Sequence, residues 1–343
     1  MNKLVKGLLT VIVGLFLFLG FFTLVEYRPK DIEEIQITSP KALDKKEVTI
    51  LSYNIGYAGL GKNEDFFMDG GEKVRPQSKD VVEDYLRGLA EEIKAHPADF
   101  YLIQEVDLDS KRSYGINQKD FFEKQLGLEG NFAYNYKALY VPYPFPTIGR
   151  VNSGLVSLSS YKPQLAYRKS LPVPFSWPVR TVNLKRCLLV EEYEIEGSDK
   201  NFILINLHLE AFDDGEGKIL QSRELLRLAQ EYYEQGHYVL VGGDWNQTFP
   251  GGEIYPLLSE EMWVPGTLIA EDLPPGWRYA SDPTSPSCRS GDKPYDQGQE
   301  HQVYLIDGYL LSPNLEELSI KTLDYGFSSS DHHPVELRVK LKE

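Results

Sequence analysis

The stretch Tyr238-Val239-Leu240-Val241-Gly242-Gly243-Asp244-Trp245-Asn246 constrains this chain more than any other. Tyr238 to Val241 is a short β-branched and aliphatic run, the signature of a buried strand. Gly242 and Gly243 then permit a tight turn and a close backbone approach at the strand's end. Asp244 and Asn246 follow, two residues apart. A carboxylate and a carboxamide at a strand's C-terminal edge suit a hydrolytic centre. They equally suit a polar turn in which both side chains bond their own backbone. The remainder of the chain decides between these.

From Glu47 onward, apolar runs alternate with helical patterns and no internal repeat occurs. Val48 to Tyr53 reads as a strand ending in Asn54, and a glycine-rich acidic loop follows over 56–71. Val81, Val82, Tyr85, Leu86, Leu89 and Ile93 recur at helical spacing over 78–95. Asp99 to Gln104 is a second strand that delivers Glu105, and 121–126 suggests a short helix. The tyrosine- and proline-rich stretch 134–150 reads as a loop approaching a site. Strands follow over 154–159, 186–194 and 201–207, the last running into His208. Residues 219–233 form another amphipathic helix, and after the opening stretch a proline-rich excursion covers 250–302. Strands over 303–311 and 334–341 close the chain. Two successions of β segments, each with a covering helix, fit two packed sheets with helices outside. Spacing alone also admits a doubly wound sheet.

The polar residues at strand ends form one set: Asn54, Glu105, Asn152, His208, Asp244, Asn246, Asp307, Asp331 and His332. A solvated charged face would not recur so regularly at the places where loops assemble sites. Their chemistry suits attack of water on a phosphate ester. A hard cation such as Mg²⁺ takes oxygen ligands, which Glu105 and Asn54 supply. Charge developing on phosphorus needs donors such as His208, Asn152 and Asn246. The water needs a carboxylate, or a histidine held in one tautomer as Asp307 would hold His332.

The motifs Leu51-Ser52-Tyr53-Asn54, Gln104-Glu105, Asn206-Leu207-His208-Leu209, Gly243-Asp244-Trp245-Asn246, Ile306-Asp307-Gly308 and Ser330-Asp331-His332-His333-Pro334-Val335 resemble, in order, those of the endonuclease/exonuclease/phosphatase superfamily. Its members include pancreatic-type deoxyribonucleases, apurinic endonucleases, neutral sphingomyelinases and inositol polyphosphate phosphatases. Each motif is short; six in family order over about 48–341 are specific. The resemblance implies a four-layer α/β/β/α sandwich of two mostly antiparallel sheets with outer helices. It implies a phosphoesterase using Mg²⁺, with Mn²⁺ as the alternative. Carried over, Glu105 becomes the main metal ligand, with Asn54 beside it and Asp331 as a further contact. Asp244 orients or deprotonates the water, Asn246 and His208 meet the phosphate, and His332, steered by Asp307, acts at the scissile group. The family's nucleases often present a tyrosine or arginine to the phosphate; Tyr140, Tyr143 and Arg150 all qualify here. Asn152-Ser153-Gly154 resembles the sphingomyelinase-like branch and makes Asn152 a phosphate-binding candidate.

The N-terminus is a separate matter. After Lys3 and Lys6, residues 7–25 carry no charge over 19 positions, enough to span a bilayer as one helix. No small-x-small cleavage site follows, so residues 1–27 read as an uncleaved signal anchor, with secretion the outcome if the segment is removed. The lysines place its start in the cytoplasm and the rest outside. Residues 28–46 are polar and read as a tether, and 47–343 as the catalytic domain. The two cysteines, Cys187 and Cys288, then face an oxidising space where a disulfide is permitted, though their spacing does not require one.

The net charge of −15 argues against broad, non-specific grip on nucleic acid, and the Lys111-Arg112 and Lys185-Arg186 pairs stand isolated. Expected partners are therefore a phosphate-ester substrate, phospholipid or nucleic acid, and a membrane through the N-terminal helix; no protein partner is implied. A phospholipid head group gains from the anchor, an extracellular nuclease from the motif set, and a soluble sugar or inositol phosphate remains open. A catalytically inactive scaffold on the same fold would be favoured by loss of Glu105, His208, Asp244 or His332, and all four are present. Structural roles are expected for His333 and Trp245, surface positions for His96, His237 and His301, a helix start for the acidic run Asp213, Asp214 and Glu216, and a substrate rim for Trp263 and Trp277.

Overall fold

The computed structural model describes residues 3–213 and 215–342. Two sheets face each other. A six-stranded sheet has the order β16 (Leu315–Thr322), β17 (Val335–Leu341), β2 (Glu47–Asn54), β3 (Phe100–Asp107), β5 (Gly149–Ser159), β4 (Glu129–Val141). A seven-stranded sheet has the order β1 (Ile32–Ile35), β6 (Leu165–Ser170), β7 (Cys187–Glu194), β8 (Asn201–His208), β9 (Tyr238–Asp244), β15 (Asp307–Leu311), β12 (Arg278–Ala280). Two-residue strands β10 (Gln247–Thr248), β11 (Gly266–Thr267), β13 (Cys288–Arg289) and β14 (Val303–Tyr304) form two small ladders beside them.

Each sheet holds one parallel pair among antiparallel neighbours, β2 with β3 and β8 with β9. A parallel pair needs a crossover, and a helix supplies it in both cases. Helix α2 (Lys79–Lys94) joins β2 to β3, and α4 (Glu216–Glu234) joins β8 to β9. The shorter α3 (Gln118–Leu126) follows β3. Strand alternation sorts the apolar residues into layers. Ile50, Leu102, Leu204, Leu240 and Leu337 meet between the sheets. Leu51, Tyr53 and Ile103 point outward against Val82, Leu86 and Leu89 of α2. Ile205, Val239 and Val241 do the same against Leu225 and Leu228 of α4. The result is the four-layer α/β/β/α sandwich that the motif order implied. Ser78 starts α2 by accepting from Val81 N.

Helix α1 (Lys3–Val25) is long and apolar enough to cross a membrane by length and composition, with 6 % of its most apolar window buried. Phe22 alone is buried, against Ala138, Val141, Val151 and Val182.

Three segments depart from the sequence expectation. Residues 28–46 are not a free tether: Ile32–Ile35 pairs with β6 as an edge strand, and Leu43 is fully buried between the sheets. Edge strands mix charge with apolar residues, which hides them in a polar stretch. Most of 134–150 is strand rather than loop, because tyrosine favours the pleated surface and the prolines are confined to the β4–β5 turn. The 250–302 excursion returns to the seven-stranded sheet as β12, and Trp277 is buried against α4 with its indole N–H on Gln230 Oε1 rather than at a rim.

Candidate active site

The topology places the polar set at one end of the sandwich. Asn54, His208 and Asp244 are the last residues of β2, β8 and β9, and Asp307 is the first of the antiparallel β15. In register His208 and Asp307 lie on either side of Asp244. Gly243 makes this ending possible: at φ 144° its backbone approaches β8 so closely that a Cβ would stand 2.0 Å from Leu207 O. Asn246, also left-handed at φ 51°, turns back and donates from Nδ2 to Leu209 O at 2.9 Å. Glu105 sits on a β-bulge between Ile103 and Val106 with φ 57°, and the bulge re-aims its carboxylate into the cavity.

Asp244 is the hub. Its Oδ2 accepts from Asn54 Nδ2 at 2.9 Å and lies 3.3 Å from His208 Nε2 and 3.8 Å from His332 Nε2. Its Oδ1 accepts from Asn246 N at 2.9 Å. Burial first, and the nearby Asp307 carboxylate second, push the Asp244 carboxyl up to about 7. His332 Nδ1 is 2.8 Å from Asp307 Oδ2, which also accepts from Ser287 Oγ at 2.8 Å. Burial, the largest single influence, disfavours a charged His332 ring, yet the acidic groups around it, Asp307 foremost with Asp244 and the Asp307 hydrogen bond, together outweigh burial and raise the ring well above its ordinary value. His208 moves the opposite way, lowered well below its ordinary value by burial and by Arg186. The site therefore holds one neutral imidazole and one that binds its proton tightly.

A cavity of about 210 Å³ opens over this hub. Glu105, His208, Asp244, Asn246, Asp331 and His332 line it. Asn54 and Asp307 lie beneath, buried and bonded to lining residues. Asn54 was expected beside a metal; its carboxamide is engaged by Asp244 Oδ2 and by Gly56 N, which donates to Oδ1 at 3.0 Å. Asn152 was expected at the phosphate; it stays outside the cavity, its Nδ2 donating to Asp109 O at 3.2 Å. The β4–β5 register brings Ser153 and, from β4, Asn135 to the cavity wall instead.

Two carboxylates, Glu105 and Asp331, face the cavity with few bonding partners among the described residues. Burial raises the Glu105 carboxyl, and its nearest cation, Arg112 Nη2, is 3.9 Å away. Among the described residues, Asp331 Oδ1 accepts from Ser330 Oγ alone, at 3.2 Å. Under-bonded carboxylates facing a cavity suit a hard divalent cation. Asp244, Asp307 and His332 also bring ligand atoms within 4.8 Å of one another. There the Asp307–His332 hydrogen bond engages Nδ1, and Nε2 is the ring nitrogen that faces Asp244.

Several cavity residues escaped the sequence reading. Arg112 forks onto Asp107 at 3.2 and 3.1 Å, reaches Ser153 Oγ at 3.1 Å and lies 3.8 Å over the Tyr57 ring. Arg186 lies 3.4 Å from Glu210 Oε2 and donates to His208 O at 3.3 Å. These are the arginines of the two isolated basic pairs, and no local pattern marked them. Of the proposed phosphate-facing residues before the central strand, Tyr143 lines the cavity, whereas Arg150 pairs with Asp109 at the surface. Trp263 lines the cavity and Trp245 is core. His333 is structural: it stacks on Phe327 at 3.8 Å and bonds Pro286 O. His96, His237 and His301 are half-buried, each bonded to a neighbour rather than free at the surface. Asp213 accepts from Lys218 N at the start of α4, while Asp214 lies outside the described residues. Cys187 and Cys288 are both free and buried, so the permitted disulfide is not formed.

The sequence model of the Endonuclease/Exonuclease/phosphatase family matches residues 51–294. No curated protein sequence matches significantly. Solved structures of similar fold include an endonuclease/exonuclease/phosphatase from Beutenbergia cavernae DSM 12333, at 18 % identity, covering 87 % of this chain and 72 % of that one, with TM-score 0.59. Truncated TDP2 from Caenorhabditis elegans has 18 % identity, covers 87 % and 99 %, and has TM-score 0.51. ANGEL2, a 2′,3′-cyclic phosphatase solved with adenosine-2′,3′-vanadate, has 16 % identity, covers 92 % and 100 %, and has TM-score 0.53. At these identities the likeness is one of fold.

Proposed function

The chain belongs to the endonuclease/exonuclease/phosphatase family, and on that premise we propose that it is a divalent-metal-dependent phosphodiesterase working by attack of water on phosphorus. The observation that carries this reading is the convergence on Asp244 of Asn54, His208 and His332, within 2.9, 3.3 and 3.8 Å. It supplies a base, a neutral donor and a proton-holding imidazole at one point.

In this mechanism Asp244, raised by burial towards neutrality, takes the proton of the attacking water. Asn54 and the Asn246 N–H hold its two oxygens in place. His208 donates from Nε2 to a phosphoryl oxygen, and Asn246 borders the same pocket. His332, charged and steered by Asp307, gives its Nε2 proton to the leaving oxygen as the phosphorus–oxygen bond breaks. Glu105 and Asp331 are the carboxylates that would hold the Mg²⁺ or Mn²⁺ ion; when bound, it neutralises charge on the phosphoryl oxygens. Arg112 and Arg186 add fixed positive charge to the same wall.

A lipid phosphodiester fits better than nucleic acid. Phe66, Phe67, Phe175, Phe212 and Trp263 line the cavity beside its charged floor, and an amphiphile presents both characters at once. A nuclease would need a basic track beyond the cavity, which a net charge of −15 does not favour. Helix α1 would anchor the chain, with the cationic start of the helix cytoplasmic and the sandwich outside. The full chain, purified in detergent, should be offered sphingomyelin vesicles, plasmid DNA and a sugar phosphate with Mg²⁺. Preferred turnover of the lipid supports this reading; turnover of DNA alone moves it to a nuclease, and turnover of none leaves a scaffold.

A further inference from the structure

The end of α1 is pinned to the sandwich. Glu26, just beyond the helix, pairs with Arg180 Nε at 3.1 Å and Lys185 Nζ at 3.5 Å. Trp177 donates from its indole nitrogen to Thr23 Oγ1 at 3.0 Å, and Phe22 packs on Val141 and Val182. Two segments therefore lie level with the point where the helix changes from apolar to charged: the β4–β5 turn and residues 173–180. Both expose large apolar side chains. Phe145, at the tip of the turn, is 96 % exposed; Leu139, Tyr140, Tyr143, Trp177 and Val179 on the same two segments are exposed as well. Exposed apolar side chains gathered on two segments of one face mark a contact surface. Its tyrosines and tryptophan are the residue types that settle at a membrane–water interface.

The patch also runs into the site. Tyr143, Ile148 and Phe175 belong both to these segments and to the cavity wall. We infer that the β4–β5 turn and residues 173–179 form a second membrane contact, which lays the mouth of the cavity on the bilayer surface. The occupant is a lipid bilayer, because the patch is continuous with the end of a helix of bilayer-spanning length. A substrate with an apolar tail would then slide from the bilayer past Tyr143 and Phe175, and its phosphate would reach the charged floor without crossing water. This rests on the reading that α1 is inserted in a membrane.

The test uses the full chain reconstituted into phosphatidylcholine vesicles. An environment-sensitive thiol dye is placed through Phe145→Cys, through Phe16→Cys within α1, or through Leu318→Cys. Leu318 lies in β16, at the opposite edge of the six-stranded sheet from β4. Cys187 and Cys288 are buried, and the unsubstituted chain measures their background labelling. Spin-labelled lipids should quench the dye at 16 and 145, with a blue shift at both, and leave 318 unchanged. Quenching at 16 without quenching at 145 overturns the second contact and keeps the anchor. Absence of quenching at both positions overturns the anchor as well. Equal quenching at 145 and 318 shows non-specific adsorption and also overturns the proposal.

Discussion

Asn54 Nδ2 lies 2.9 Å from Asp244 Oδ2, tying the last residue of β2 in one sheet to the last residue of β9 in the other. The bond favours the charged carboxylate and opposes the burial that raises Asp244. Replacing Asn54 with leucine keeps the volume and removes the donor. The rate should fall by about 10- to 100-fold. Because the charged form loses support, the acid limb of kcat/KM should move to higher pH. A pH–rate profile of Asn54→Leu checks the direction; an unmoved limb would mean that Asp244 is not the titrating base.

Glu105 combines a left-handed backbone with a half-buried carboxylate whose nearest cation, Arg112 Nη2, stands 3.9 Å away. Glu105→Gln should therefore raise the metal-free stability by about 1 kcal/mol. The wild type should gain about 2.7 kcal/mol when Mg²⁺ or Mn²⁺ is present at a hundredfold excess over its Kd. That gain should vanish in the variant. Thermal melts with and without metal read both effects, with no activity assay required.

Arg112 neutralises Asp107, whose side chain is fully buried. Removing one partner of a buried pair leaves the other charge uncompensated. Arg112→Met should cost about 3 kcal/mol by chemical denaturation. A loss under about 1 kcal/mol would show that the pair contributes little to folding.

Glu191 gives the clearest pH dependence of stability. It is buried in β7, with Asn131 Nδ2 donating to it at 2.6 Å, and burial raises its carboxyl to about 7. The folded chain thus holds a proton that the unfolded chain releases near its ordinary value of about 4.5. Its contribution is complete below that value and is lost as pH rises through about 7. Glu191→Gln should flatten this slope and stabilise the chain at pH above about 8 by roughly 1–3 kcal/mol. Denaturation curves across this range test the sign.

How much of this was readable in advance follows from physical range. Strand-end residues such as His208 and Asp244 stand out because an apolar run of strand length ends on each of them, and the run is a local signal. The two helices over the sheets were visible for the same reason. Where Asn152 points depends on the β4–β5 register, which slips between Tyr134 and Tyr136 and again between Ala138 and Val141. A one-residue slip reverses the face that each side chain meets, and no local pattern announces those bulges. The amide of Asn54 is held by Asp244, 190 residues away, a contact that no local pattern shows. Arg112 and Arg186 carry no periodic signature, and only the closing of the cavity gathers them. Ile32–Ile35 was too short and too charged to read as a strand, and pairing with β6 decides its state.

The central claim is that Asp244 and His332 act on a phosphodiester with help from a divalent ion. Hydrolysis of bis-p-nitrophenyl phosphate by the full chain in detergent measures this directly, with Asp244→Asn and His332→Ala alongside and a chelator added and then overcome with Mg²⁺. The wild type should lose activity on chelation and regain it with metal. Both variants should fall by about 10³-fold or more while retaining wild-type melting behaviour. Hydrolysis that survives chelation, or undiminished turnover by either variant, would contradict it.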